Sequence, residues 1–382
     1  MAVTWQLGFV LPNFQVPLTA TDLSGFMALA SYRDVRVTNI RQNQRGADKF
    51  LDGFRDVYDA RQQPGAVIWR NDICQDRVSL KTFVDFRNIV ALAAILPGWA
   101  GLDPRQPVTP SNPLWSDTFD FHPGRLNTQG AIEIYNPAQN VFSSHNTPFV
   151  GMPSPHIPVY KDPFAPDWPL LAKLLRVWEL RYLRAHTSVK EHEPLFRSLE
   201  MAYRALQVPI HNEGTIQDFG TSLGLWVSAF EILAHPSQRK VQLTAVLDLL
   251  ARAKWVEPRL RHRRFIVKYR KQRLSATFAE RVYPAIYSSR NTFLHGNPIY
   301  VKDWKFTHRT IKMSIGNLAP LIYRTALMCH LEGWNIDRRL VQRMAGVVTY
   351  HKDWQPEFHL DDVVIACTNQ KYEDALLRLL PS

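Results

Sequence analysis

Residues 223–233, LGLWVSAFEIL, restrict the fold more than any other stretch, because they are apolar nearly all the way round a helical wheel. A helix without a polar face has to be covered on most of its sides. Other helices must therefore surround it, and the sequence offers them. PLLAKLLRVWELRYLRAH (169–186), EPLFRSLEMAYRALQV (193–208), QLTAVLDLLARAK (242–254), FAERVYPAIYSSRNTFLHG (278–296) and TIKMSIGNLAPLIYRTALMCHLEGW (310–334) all carry apolar residues at helical spacing. The second opens with Pro194 near its first turn and stops before Pro209.

The part before residue 160 reads differently. WQLGFVLP (5–12), DVRVTNI (34–40), GAVIW (65–69) and GAIEIY (130–135) are strand candidates, rich in β-branched and aromatic residues. ADKFLDGFRDVYDAR (47–61) and LKTFVDFRNIVALAAIL (80–96) are helix candidates, the second expected to stop at Pro97-Gly98. Residues 97–169 are rich in proline and polar turn residues. The expected fold class is α+β: a mixed α/β domain over 1–160, a helical bundle over 165–333 and a small appendix over 334–382.

At 382 residues and 46% apolar content, the chain is long enough for two or three domains around a well-buried core. No basic n-region followed by an apolar h-region opens it. The longest apolar run, Ile89 to Leu102, is too short to span a bilayer and holds Pro97. Cys74, Cys329 and Cys367 are odd in number and widely spaced, which argues against a disulfide framework and a cysteine zinc site. Neither a phosphate loop nor a nucleophile elbow is present, and HTSVKEHEP (186–194) fits no standard metal-ligand spacing. The expectation is a cytoplasmic protein without membrane contact, cofactor or metal.

Net charge is +12, which points to acidic partners. Residues 252–273, RAKWVEPRLRHRRFIVKYRKQR, concentrate it, with ten Lys/Arg against one Glu. Interleaved Trp255, Phe265 and Tyr269 suggest an RNA path along Arg261, Arg263, Arg264, Lys268, Arg270 and Lys271, with aromatics stacking on bases. A solvated helix with its aromatics turned inward explains the same pattern.

The segment YSSRNTFLHGNP (287–298) carries the candidate chemistry. Arg290 falls on the stripe of Val282, Ile286 and Phe293, where a charge is costly unless paired. Glu231, inside the apolar helix, is the carboxylate expected to meet it. Tyr287, Asn291 and His295 follow at i, i+4 and i+8 on the neighbouring row. Gly296 and Pro298 stop the helix. A histidine in the last turn gains about 0.3–1 kcal/mol from the helix dipole when protonated. Asn291 is spaced to orient its ring. An arginine fork grips phosphate, a histidine transfers protons, and RNA supplies its own 2′-OH nucleophile. The pattern Arg, four to six residues, His also occurs at Arg181–His186, Arg204–His211 and Arg324–His330. Only the 290 copy has a polar residue directly after the arginine and a helix stop directly after the histidine.

Ala229-Phe230-Glu231-Ile232-Leu233, followed some 60 residues later by Arg290-Asn291 through His295-Gly296, resembles the HEPN superfamily, in particular its Apea-like branch. The resemblance covers about residues 215–300. It implies a helical bundle and a metal-independent endoribonuclease of antiviral defence or toxin type, whose site is shared between two units. By position it makes Arg290, Asn291 and His295 catalytic and Glu231 and Tyr287 supporting. With one motif per chain, it implies a homodimer acting on RNA, under a regulatory partner or antitoxin. The alternative is a non-catalytic HEPN-like module that binds nucleotide or RNA, or that dimerises.

Overall fold

The computed structural model describes residues 4–14, 16, 26–56, 59–72, 78–101, 116–127, 129–136, 141–145, 153–154, 166–183, 189–208, 215–234, 243–269, 272–298, 300–308, 311–333, 360–378 and 380. The chain opens with β1 (Trp5–Leu11), β2 (Met27–Ala30), α1 (Val35–Asn43), α2 (Ala47–Asp52), β3 (Arg55–Asp56) and β4 (Gly65–Arg70). β4 is the centre of an antiparallel sheet ordered β1-β4-β2, paired from Trp5↔Arg70 to Leu11↔Gly65.

Strand residues alternate between two faces, and here both faces are covered. Phe9, Leu11, Met27, Leu29, Val67 and Trp69 enter the main core beside Phe83 and Phe86. Leu7, Val10, Ala28, Ala30, Ala66 and Ile68 enter a second core with Val37, Ile40, Phe50 and Leu51. The sheet is thus a middle layer between α1–α2 and α3 (Leu80–Gly101).

DVRVTNI forms α1 rather than a strand. Asp34 caps it, accepting from the Arg36 N–H at 2.8 Å, and this local bond outweighs the β-branched composition. ADKFLDGFRDVYDAR is a helix only as far as Asp52, with Gly53 as its cap. α3 passes through Pro97 instead of ending there. A proline frees the carbonyl four residues earlier, and the Asp167 N–H takes that carbonyl, Ala93 O, at 2.7 Å.

β5 (Gly124–Leu126), β6 (Ile132–Asn136) and β7 (Val141–His145) form a second antiparallel sheet, and β8 (Pro153–Ser154) pairs in parallel with β3. Helices follow: α4 (Trp168–Tyr182), α5 (Val189–Gln207), α6 (Ile216–Ala234), α7 (Leu243–Ala251) and α8 (Pro258–His262). The β9 (Phe265–Tyr269)–β10 (Gln272–Ala276) hairpin leads into α9 (Phe278–Leu294). The hairpin of β11 (Lys305–His308) and β12 (Ile311–Ser314) leads into α10 (Ile315–His330), so the start of TIKMSIGNLAP is strand, not helix. α11 (Leu360–Leu377) absorbs the apolar run DDVVIAC of the expected appendix and packs on α3 and α4.

The fold is mixed α and β, with small sheets beside many helices. One apolar cluster runs from Phe9 to Leu380 and joins α3 to the later helices. α6 packs against α5, α7, α9 and α10, which covers the apolar helix as its composition demands. α3 is the described helix long and apolar enough to cross a membrane, and 89% of its most apolar window is buried inside the protein.

Candidate functional site

α9 begins with a complete capping box: the Thr277 hydroxyl accepts the Glu280 N–H, and the Glu280 carboxylate accepts the Thr277 N–H. It ends at His295. Gly296 has φ +67°, a left-handed conformation suited to glycine. The Gly296 N–H donates to Phe293 O at 3.1 Å and the Asn297 N–H to Thr292 O at 3.2 Å. Those two bonds define a Schellman stop, so the turn chemistry read from His-Gly-Asn-Pro is realised. The stop leaves His295 exposed at the helix terminus.

The core-facing row of α9 behaves as its spacing predicts at first. Val282 and Ile286 are buried, while Arg290 and Phe293, further along, are half-buried. Phe293 lies flat against α6, where a β-carbon on Gly220 would come 2.2 Å from the ring. With the Phe293 ring in this position, a glycine at 220 is what leaves room for the two helices to approach.

Arg290 donates from Nη1 to Asn291 Oδ1 at 2.9 Å. Its hydrogen bond thus goes to Asn291, not to Glu231, and the Asn291 carbonyl is engaged by Arg290 rather than by the histidine ring. Its Nε is buried and makes no hydrogen bond. Glu231 and Arg290 are related through a third residue, Tyr283. This tyrosine is fully buried, with its ring 4.9 Å from Phe230, and its hydroxyl makes no hydrogen bond. Burial holds the phenol well above its ordinary pKa; the Glu231 and Tyr287 charges push the same way and Arg290 opposes them. Tyr283 therefore lies within the fields of Glu231, Tyr287 and Arg290. Sequence reasoning named Tyr287 and missed Tyr283, although Tyr283 precedes Arg290 by seven residues, two helical turns on the same face. Gly220 was missed too; an isolated glycine in an apolar helix is the signal for such a close approach.

The other arginine–histidine spacings separate clearly from this one where they are described. Arg324 is buried and donates from Nε to Asp167 Oδ2 at 2.9 Å. Burial lowers the pKa of its partner in the pattern, His330, with Arg252 and His192 adding to the effect. Arg181 is buried and pairs with Glu193. His186 and His211 lie outside the described residues.

The basic run is not one helix. It is α8, then the β9–β10 hairpin. Trp255 and Phe265 are buried, which removes them as base-stacking platforms. Arg261 and Arg264 are exposed, and half-buried Arg263 sits over the Phe265 ring at 5.8 Å. Lys268 lies in β9, while Arg270 and Lys271 fall outside the described residues. Phe265 packs near Phe278 and Arg281, in the first turns of α9. The base of the basic hairpin and His295 are therefore at opposite ends of a 17-residue helix, about 25 Å long.

Chemically, the end of α9 offers a guanidinium held by a neutral amide, with its Nε–H unspent, and an exposed histidine. No family model matches this sequence, and no curated protein or solved structure is significantly similar to it.

Proposed function

We propose that the C-terminal end of α9 is an RNA-cleaving site of the HEPN type, which works without a metal. The observation that carries this reading is the state of Arg290: a half-buried guanidinium bonded to neutral Asn291, with a buried Nε that makes no hydrogen bond, five residues before the exposed His295. A cation of this kind is available for a phosphate, whereas Arg324 is consumed by a carboxylate. His295 takes the 2′-OH proton or gives one to the departing 5′-oxygen, with water serving the other transfer, as the 2′-oxygen bonds to the adjacent phosphorus and the P–O5′ bond breaks. Arg290 offsets the charge that develops on the phosphoryl oxygens. The product is a 2′,3′-cyclic phosphate. Glu231 and Tyr287 are supporting residues in this reading, and Tyr283 joins them because it lies in the fields of Glu231, Tyr287 and Arg290.

In this reading the chain is a cytoplasmic homodimer whose two α9 ends share one cleft, with the helices after residue 165 as the bundle. It acts in phage defence or as a toxin under a partner or antitoxin, with Arg261, Arg263 and Arg264 meeting RNA away from the cut. Purified protein treated with EDTA is incubated with end-labelled RNA. Cleavage is expected to persist, to yield cyclic-phosphate ends and to vanish in His295→Ala with the melting temperature unchanged. Cleavage that needs added metal, or that survives His295→Ala, overturns it.

A second reading is favoured by the Arg290–Asn291 bond, which engages the amide oxygen with the arginine and not with the imidazole. In it the module binds RNA or nucleotide, or dimerises, without cutting. It predicts RNA binding that depends on Arg290 with no cleavage under any condition.

A further inference from the structure

A cavity of about 610 Å3 lies between α3, α5 and residues 120–123, and no residue of α6 or α9 lines it. This is the size of a small-molecule site. Its lining combines apolar Leu80, Val84 and Phe121 with Lys81, Arg87, Arg204, Asp120 and Glu200.

Arg87 and Asp120 form a prebuilt wall. The Arg87 side chain is only 10% exposed, and its guanidinium lies 4.2 Å from the Tyr203 ring centre and 5.0 Å from that of Phe121. It donates from Nε and Nη2 to Asn88 Oδ1, and its Nη1 is 3.9 Å from Asp120. Asp120 in turn accepts from the Tyr203 hydroxyl at 2.7 Å and from Gln207 Nε2 at 3.0 Å. Tyr203 is fully buried, and burial keeps its phenol a proton donor. The charges of Arg87 and Asp120 offset each other inside this network.

What remains is cationic. Arg204 is exposed, with one hydrogen bond to Gln207 at 2.7 Å. Lys81 stands 3.6 Å from Asp85 and 3.8 Å from Glu193. Both acids have partners of their own: Tyr182 donates to Asp85, and Arg181 pairs with Glu193. Burial also raises the pKa of Asp85 and so weakens its claim on Lys81. Arg204, whose hydrogen bond goes to neutral Gln207 and not to a carboxylate, is the cation left to an incoming anion, with Lys81 beside its two acids as a second donor.

We propose that this cavity binds a small amphiphilic mono-anion, an apolar or planar body with one phosphate, sulfonate or carboxylate head. The head seats between Lys81 and Arg204, and the body lies against Leu80, Val84 and Phe121. Because the cavity also touches Phe9 of β1, an occupant ties the N-terminal layers to the helices.

The full-length protein is titrated with 8-anilinonaphthalene-1-sulfonate and read by fluorescence, without RNA, so the result is independent of the nuclease reading. One saturable site per chain is expected, weakened about tenfold by Arg204→Glu and again by Lys81→Gln. Arg204 is exposed, so its variant is expected to fold, and melting curves check both. Displacement by adenosine 5′-monophosphate supports a phosphate head, and displacement by octanoate supports a carboxylate head. Displacement by neither, the absence of a saturable site, or an affinity in both variants equal to that of the parent overturns the proposal.

Discussion

A β-carbon on Gly220 would stand 2.2 Å from the ring of Phe293, so the α6–α9 crossing is built on a missing methyl group. Alanine at 220 would gain about 1 kcal/mol in helix propensity. Overpacking against the ring costs about 1–3 kcal/mol, so the clash wins. Gly220→Ala is expected to destabilise the protein by about 1 kcal/mol in urea denaturation and to disturb the α9 turn that holds Arg290 and His295. The double variant with Phe293→Ala reverses the sign, because the ring is gone and only the propensity gain remains. A Gly220→Ala penalty that persists without the ring would refute this account.

Arg324 and Arg290 have the same spacing to a histidine but different environments. Asp167, which Arg324 binds, is itself fully buried and also caps α4 through the Leu170 N–H at 3.1 Å. Removing the arginine strands a buried carboxylate, which costs about 3–5 kcal/mol. Arg290→Ala removes a hydrogen bond to the amide of Asn291, half-buried and neutral, and no carboxylate hydrogen bond. Chemical denaturation is therefore expected to show a large loss for Arg324→Ala and about 1 kcal/mol or less for Arg290→Ala. Equal losses would make Arg290 a structural ion pair and remove the basis for a phosphate-binding role.

The Tyr283 hydroxyl is buried and makes no hydrogen bond. An unsatisfied buried hydroxyl carries a desolvation cost of roughly 1–3 kcal/mol. Tyr283→Phe is therefore expected to melt at the same temperature as the parent or higher. If the variant then cleaves or binds RNA less well, the hydroxyl serves the site; a clear drop in stability contradicts the packing described.

The helices from α4 to α7, with α9 and α10, were legible because apolar periodicity dominates where a helix is covered on several sides. The strands β1, β4 and β6 were legible from β-branched runs bounded by turns. Val35, Val37 and Ile40 misled because one capping carboxylate, Asp34, decided the local structure. No local pattern could show that α3 survives Pro97, since the group that takes the freed carbonyl is Asp167, seventy residues on. The helix stop at Gly296 and the row of Arg290 were written in adjacent residues. Tyr283 was not, because its importance comes from Glu231 on another helix. The cavity is assembled from residues 80–87, 120–123 and 200–207, so spacing within any one segment could not reveal it.

Asp85 gives the fold a pH signature. It is buried on α3, accepts from the Tyr182 hydroxyl and lies 3.6 Å from Lys81. Burial raises its pKa, and the Tyr182 bond, Lys81 and Arg181 only partly oppose this. The unfolded value is about 3.9. Between that and the raised folded value, the folded protein holds more protons than the unfolded one, so stability falls as pH rises through the window. Asp85→Asn keeps an acceptor for Tyr182 and removes the titration. Urea denaturation from pH 4 upward, at about half-unit steps, is expected to show the variant gaining on the parent as pH rises and then holding a constant lead. A parent that gains on Asp85→Asn over that range would mean that Lys81 outweighs burial and that the carboxylate is stabilised, not penalised, where it sits.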